Sequence, residues 1–209
     1  MNRVKFDQSA CDSLRDCVKE IENNTAAEVV VVVRARSGNY VHADFLFGAV
    51  LSFLGLLFLL FSPYTFHQVW VAIDVLLLFI LGSALSNRTE GIRRLLTTRK
   101  LRANNVRTSA AAMFYEAGVA NTSAELGVLV FLSLFERRLE VISDRGVLKA
   151  VPSAVWNEAL FELHEAGRDP DVQTFLEAIK TFGTSLAKHL PATEDNPDEL
   201  PNLPHFEFK

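Results

Sequence analysis

The chain has 209 residues, 49% of them hydrophobic, with 21 Lys/Arg against 25 Asp/Glu and a formal net charge of −4. That balance excludes a nucleic-acid binder driven by an overall positive field. The charge is uneven: residues 1–44 carry 6 basic and 7 acidic side chains, residues 87–150 carry 11 and 6, and residues 151–209 carry 4 and 11.

The first residues, Met1-Asn2-Arg3-Val4-Lys5-Phe6, lack the apolar centre of a signal peptide. Ser9 can cap a helix in which Leu14, Cys17, Val18 and Ile21 recur at three and four, ending at Asn23-Asn24. Cys11 and Cys17 are six apart and therefore not stacked on one helical face, which fits reduced structural thiols. Glu28-Val29-Val30-Val31-Val32-Val33-Arg34 is an unbroken β-branched run, suited to a central strand covered on both faces. Ser37-Gly38-Asn39 then turns the chain.

Two apolar runs follow, 45–62 and 69–86, parted by Pro63-Tyr64-Thr65-Phe66-His67-Gln68. As helices each reaches about 27 Å, close to the thickness of a bilayer's hydrocarbon core. The first run is uncharged and the second holds only Asp74, without the polar stripe of a soluble surface helix. The pattern predicts a transmembrane hairpin, with two buried helices of a soluble protein as the alternative. The connecting loop has no Lys or Arg, whereas Arg34 and Arg36 precede the hairpin and Arg88, Arg93, Arg94, Arg99, Lys100, Arg102 and Arg107 follow it. The positive-inside rule then puts both flanks, and both termini, in the cytoplasm of a bacterial inner-membrane type protein. Antiparallel pairing sets Gly82 opposite Gly48 and Ala49, where small residues let the backbones approach. Asp74 is either an interfacial carboxylate or the centre of a small oligomeric transporter.

Residues 87–107 form a basic juxtamembrane segment. A helix over Thr89–Ala103 is expected there, its cations serving as topology determinants or lying on anionic headgroups. Thr108 or Ser109 begins another helix through Ala112, Met113, Phe114 and Ala117, stopped at Gly118. Gly127–Leu134 is a second buried strand, turning through Phe135-Glu136-Arg137 into an antiparallel, half-exposed third, Arg138–Ser143, closed by a turn at Asp144-Arg145-Gly146. Helices Ser153–Ala166, stopped by Gly167, and Pro170–Leu190, capped by Asp169, follow. Residues 191–209, acidic and proline-rich, are expected to be disordered. The fold class is α/β, a small mixed sheet sandwiched by helices and built from residues 1–44 and 108–190, with the hairpin interrupting it.

The order Thr25-Ala26-Ala27-Glu28 into an all-valine strand, Phe114 to Gly118 and Thr122, Gly127–Ser133, then Glu136–Ser143 with Asp144-Arg145-Gly146 and Trp156, resembles the TPM domain family. That family takes its name from a thylakoid lumen protein, a photosystem II repair protein and a nematode receptor auxiliary protein. The resemblance covers about residues 5–190 apart from the hairpin and its basic flank, which would make this chain a membrane-inserted bacterial variant. It implies a compact α/β sandwich, often membrane-tethered. It also implies accessory roles in membrane-protein complexes, or acid-phosphatase activity and divalent-metal binding. In the familiar members the anchor lies outside the domain; here it lies inside.

If the first two strands are parallel, Glu28, Glu125 and Asp144 gather at one end of the sheet and Arg34, Arg36, Glu136, Arg137 and Arg138 at the other. Converging carboxylates suit Ca²⁺, Mg²⁺ or Mn²⁺, and a metal there would polarise a phosphoryl oxygen. Against this, Asp144-Arg145-Gly146 also reads as a plain turn and Glu28 as a solvated carboxylate. No Cys-x5-Arg, G-x-S-x-G, P-loop or H-E-x-x-H is present, and His42, His67, His164, His189 and His205 are scattered. The residues therefore leave an accessory factor and a phosphatase-like hydrolase both open, with the lipid bilayer as one partner, a membrane protein as another, and no nucleic acid.

Overall fold

The computed structural model describes residues 6–122, 124–192 and the backbone of 205–207. The chain divides into two compact units, one of residues 1–37 with 103–209 and the other of residues 38–102.

The first unit is an α/β fold around a mixed sheet. Strands β1 (Glu28–Arg34) and β2 (Gly127–Ser133) are parallel, with Glu28 beside Gly127 and Arg34 beside Ser133. Strand β3 (Arg138–Ser143) runs antiparallel to β2. Beyond β1, His205–Glu207 pairs parallel with Val32–Arg34 as β4, giving the order β3-β2-β1-β4. The expected disordered tail thus contributes a strand at these three residues; the rest of it from 193 onward lies outside the described residues.

Alternation along β1 and β2 fills both faces. Val29, Val31, Val33, Val128, Val130 and Leu132 join one core with helices α1 (Gln8–Asn24), α7 (Ser153–Arg168) and α8 (Val172–His189). Val30, Val32, Leu129 and Phe131 join a second with Val106, Ala110, Met113 and Phe114 of helix α5 (Arg99–Glu116). Burying one valine stabilises by roughly 1.5–3 kcal/mol, so the all-valine run fits only an inner strand, where it lies.

Several local expectations change. Asp7, not Ser9, caps α1: its Oδ1 accepts from the Ala10 N–H at 3.1 Å, and Ser9 itself donates to it. Asp171, not Asp169, caps α8 through the Gln173 and Thr174 amides. Gly167 does not end its helix; it lies buried inside α7, where a Cβ would come within 2.7 Å of Leu139 Cβ. Asp144-Arg145-Gly146 is no simple turn but the start of a short helix α6 (Arg145–Ala150) capped by Asp144. Gly146 is there for room, since its Cβ would sit 2.6 Å from the Glu125 carbonyl oxygen. The basic segment is two helices: α4 (Glu90–Leu96) ends at Thr97-Thr98, and α5 runs unbroken past Thr108 to Glu116 before Gly118 turns at φ 74°. The Thr98 hydroxyl accepts the Leu101 N–H and starts α5, so the break falls at the threonine pair.

The second unit holds helices α2 (Val41–Phe61) and α3 (Gln68–Arg88), followed by α4. Both are 21 residues long, each extending beyond the apolar run at its end away from the loop. They are long and apolar enough to cross a membrane, and little of either is buried. Gly82 faces Gly48 as the antiparallel register requires, a Cβ on Gly82 lying 3.0 Å from Gly48 Cα.

Gly127→Ala should lower stability by about 1–3 kcal/mol, because the new Cβ would meet the Val119 carbonyl oxygen at 2.3 Å and backbone must shift. Gly91→Ala, with nothing within 4 Å, should raise it by about 0.4–1 kcal/mol. Thermal unfolding of the purified variants checks both signs.

Candidate functional site

Residues Glu28, Glu125 and Asp144 do meet at one end of the sheet, through their backbones. The Glu28 N–H donates to the Leu126 carbonyl, the Asp144 N–H to that of Gly127 at 2.8 Å, and the Gly146 N–H to that of Glu125. Their carboxylates go separate ways. Glu28 is buried at 4% exposure, Glu125 sits exposed in a left-handed turn at φ 53°, and Asp144 Oδ1 accepts the Arg145 N–H at 2.9 Å as the cap of α6. Asp144 Oδ2 is buried without a hydrogen-bond partner among the described residues. Among those residues no group of three or more His, Cys, Asp or Glu is placed to hold a metal ion. The expected convergence holds for the chain, while Asp144 turns one carboxylate oxygen to the start of α6 and Glu125 is exposed.

At the opposite end of the sheet the buried Glu136 organises a polar cluster. Its carboxylate accepts from the Ser37 N–H at 3.0 Å and from the Ser133 hydroxyl. Ser37 Oγ donates to Ser133 Oγ, and Ser109 Oγ donates to the Ser37 carbonyl at 3.1 Å. Of the arginines here, Arg34 lies 5.6 Å from the Phe131 ring centroid, and Arg137, at φ 50°, pairs at 3.7 Å with the exposed Asp169. Arg36 and Arg138 are exposed.

The third polar centre, absent from the expectations above, lies inside the second unit. Asp44, in the first turn of α2, is buried, and its Oδ1 accepts from Ser86 Oγ and from Arg93 Nε, each at 2.8 Å. Arg93 Nη2 completes a bidentate pair with Asp44 Oδ2 and also reaches Asn87 Oδ1. The bonds join three elements, α2, the end of α3 and α4. Hydrogen bonding to Asp44 raises the Arg93 pKa further above its ordinary value. A raised cation contributes stability that is lost only as pH climbs through its folded pKa, so the guanidinium side of this pair is constant through neutral pH. The antiparallel register that pairs Gly48 with Gly82 also pairs Asp44 with Ser86, and that signal was available in the sequence. Asp74, by contrast, is half-buried on α3, near the loop end.

No protein-family model and no curated protein matches the chain. Among solved structures, it is similar to the NMR structure of the BA42 protein from the psychrophilic bacterium Bizionia argentinensis. The identity is 15% and the TM-score 0.56, over 98% of this chain and 96% of that one. At that identity the likeness speaks for the α/β fold alone.

A buried ion pair that loses one partner leaves an uncompensated charge, at a cost of about 3–5 kcal/mol. Asp44→Asn should therefore destabilise the second unit by that order. The double variant Asp44→Leu with Arg93→Met, which removes both charges, should recover most of the loss when unfolding of the two is compared.

Proposed function

We propose that this chain is an integral membrane protein of the bacterial inner-membrane type. In this reading α2 and α3 span the bilayer, both flanks are cytoplasmic, and the sandwich is a TPM-like domain that serves as an accessory or binding factor for membrane proteins. The observation that carries it is the hairpin's surface. Phe45, Phe53, Leu54, Phe58, Leu76 and Leu81 are each more than half exposed, and such side chains surround both helices. A contiguous apolar surface of this size is not left in water. Helices of 21 residues, at about 1.5 Å per residue, also match a hydrocarbon core of roughly 30 Å. The orientation follows from the loop without Lys or Arg and the basic flanks.

Binding is favoured over hydrolysis because the polar clusters are used in holding the chain together: Glu136 at Ser37 and Ser133, Asp44 at Arg93, Asp144 at the start of α6. The TPM-like assignment rests on the run from Glu136 to Gly146 and on the valine strand.

Cysteine labelling tests the topology. Tyr64→Cys, in the loop, should react with an impermeant maleimide on intact cells, and Arg145→Cys only after permeabilisation. The reverse pattern would overturn the orientation.

Calorimetry separates the two roles open to Asp144. If it is a cap alone, Asp144→Ala lowers stability by about 1 kcal/mol and leaves the heats of Ca²⁺ and Mn²⁺ titration unchanged; this is the expected outcome. Heats that vanish in Asp144→Ala, together with hydrolysis of a generic aryl phosphate that vanishes with them, would instead support a metal-dependent phosphomonoester hydrolase.

A further inference from the structure

The cations after the hairpin are not equivalent. Arg93 is buried against Asp44, and Arg102 Nη1 donates to the carbonyls of Arg94 and Thr97, closing the end of α4. Arg88, Arg99 and Lys100 are exposed. They flank a helix whose inner side is fixed by Arg93. Positions two away on a helix are turned by about 200°, so Gly91 and Leu95 lie on the side opposite Arg93. There is nothing within 4 Å of a Cβ at Gly91, and Leu95, at 85%, is the most exposed large apolar side chain among the described residues.

The ion pair also fixes the depth of this helix. Asp44 lies in the first turn of α2 and Ser86 in the last turn of α3, at the same end of the hairpin, and Arg93 binds both residues' network. With α2 and α3 across the hydrocarbon core, α4 sits at the level where acyl chains give way to headgroups.

We propose that α4 is an interfacial helix that binds anionic phospholipid: Leu95 enters the acyl boundary, and Arg88, Arg99 and Lys100 pair with headgroup phosphates. Charge complementarity selects this occupant, because exposed cations stand just before and just after a helix that carries an exposed apolar side chain, and that side chain gains by leaving water. The inference rests on the reading of α2 and α3 as bilayer spans. It goes further in assigning lipid selectivity to three named side chains and withholding it from Arg93 and Arg102, which are bound within the protein.

The test reconstitutes the full chain in phosphatidylcholine vesicles containing either spin-labelled phosphatidylglycerol or spin-labelled phosphatidylcholine. The expected result is a preference for the anionic probe of about fivefold or more, the contribution of one surface cation. That preference should fall toward parity in the triple variant Arg88→Gln, Arg99→Gln, Lys100→Gln, whose exposed positions leave the fold intact. A spin label at Leu95→Cys should meet dissolved oxygen more readily than an aqueous nickel chelate. An anionic preference that survives in the triple variant, or a Leu95 label as open to the chelate as one at Arg145→Cys, would overturn the proposal. A label at Ile80→Cys separates the two readings. Oxygen-accessible Ile80 with chelate-accessible Leu95 sinks only the interfacial helix, whereas chelate-accessible Ile80 sinks the span and the interfacial helix with it.

Discussion

Parallel neighbours cannot be joined by a tight turn, and β1 and β2 are parallel along their whole length. The chain must leave at the end of β1 and return to its start before β2 can pair. All of α2 to α5 lies within that one crossover. The sheet tolerates so long an excursion because loop-closure entropy grows only with the logarithm of length, each doubling costing about 0.6 kcal/mol. Within the first unit the exit of the chain is held locally: Ser109 Oγ donates to the Ser37 carbonyl, and the Glu136 carboxylate accepts the Ser37 N–H. The last residue before the second unit is thus tied to both the returning helix and the β2–β3 turn.

Two buried carboxylates do comparable work in the two units. Glu136 accepts from a backbone amide and a serine hydroxyl. Asp44 faces a full guanidinium with a hydroxyl in support. Burial of a charge is costly unless its lone pairs are met, and in both places several donors converge on one side chain. The arrangement around Asp44 joins three helices at a single point, so α4 has a fixed place on the hairpin.

Much of the first unit was legible in the sequence because burial on both faces of a sheet demands a continuous β-branched run, and Val29–Val33 is one. The antiparallel direction of β2 and β3 followed from the short turn at Phe135-Glu136-Arg137, whereas the parallel pairing of β1 with β2 entered only as a condition. Helix ends were read less well. Ser9 and Asp7, or Asp169 and Asp171, are equally able caps, and only the entry path of the chain decides between them. Gly146 and Gly167 looked like punctuation, yet both are small because a neighbour's backbone or Cβ lies where a side chain would be. The carboxylates Glu28, Glu125 and Asp144 were placed at the correct end of the sheet, but side-chain direction there depends on a cap and a left-handed turn that no periodicity encodes. The pairing of Asp44 with Arg93 is hard to see in the sequence because the acidic residue borders an apolar run and its partner lies beyond the second helix, in a segment of many like charges.

The position of β1 also sets a schedule. It is synthesised before either strand that flanks it, with roughly 90 residues between it and β2, or about 5–20 s at translation rates of ~5–20 residues per second. For that interval Glu28–Arg34 has neither β2 nor β4 to pair with. Apolar, β-branched and free of proline, it has the composition that self-associates into stacked sheets. Crowding of nascent chains on one message would bring such ribbons together. The strand inside the finished sheet is therefore the one that waits for both of its neighbours while the chain is being made.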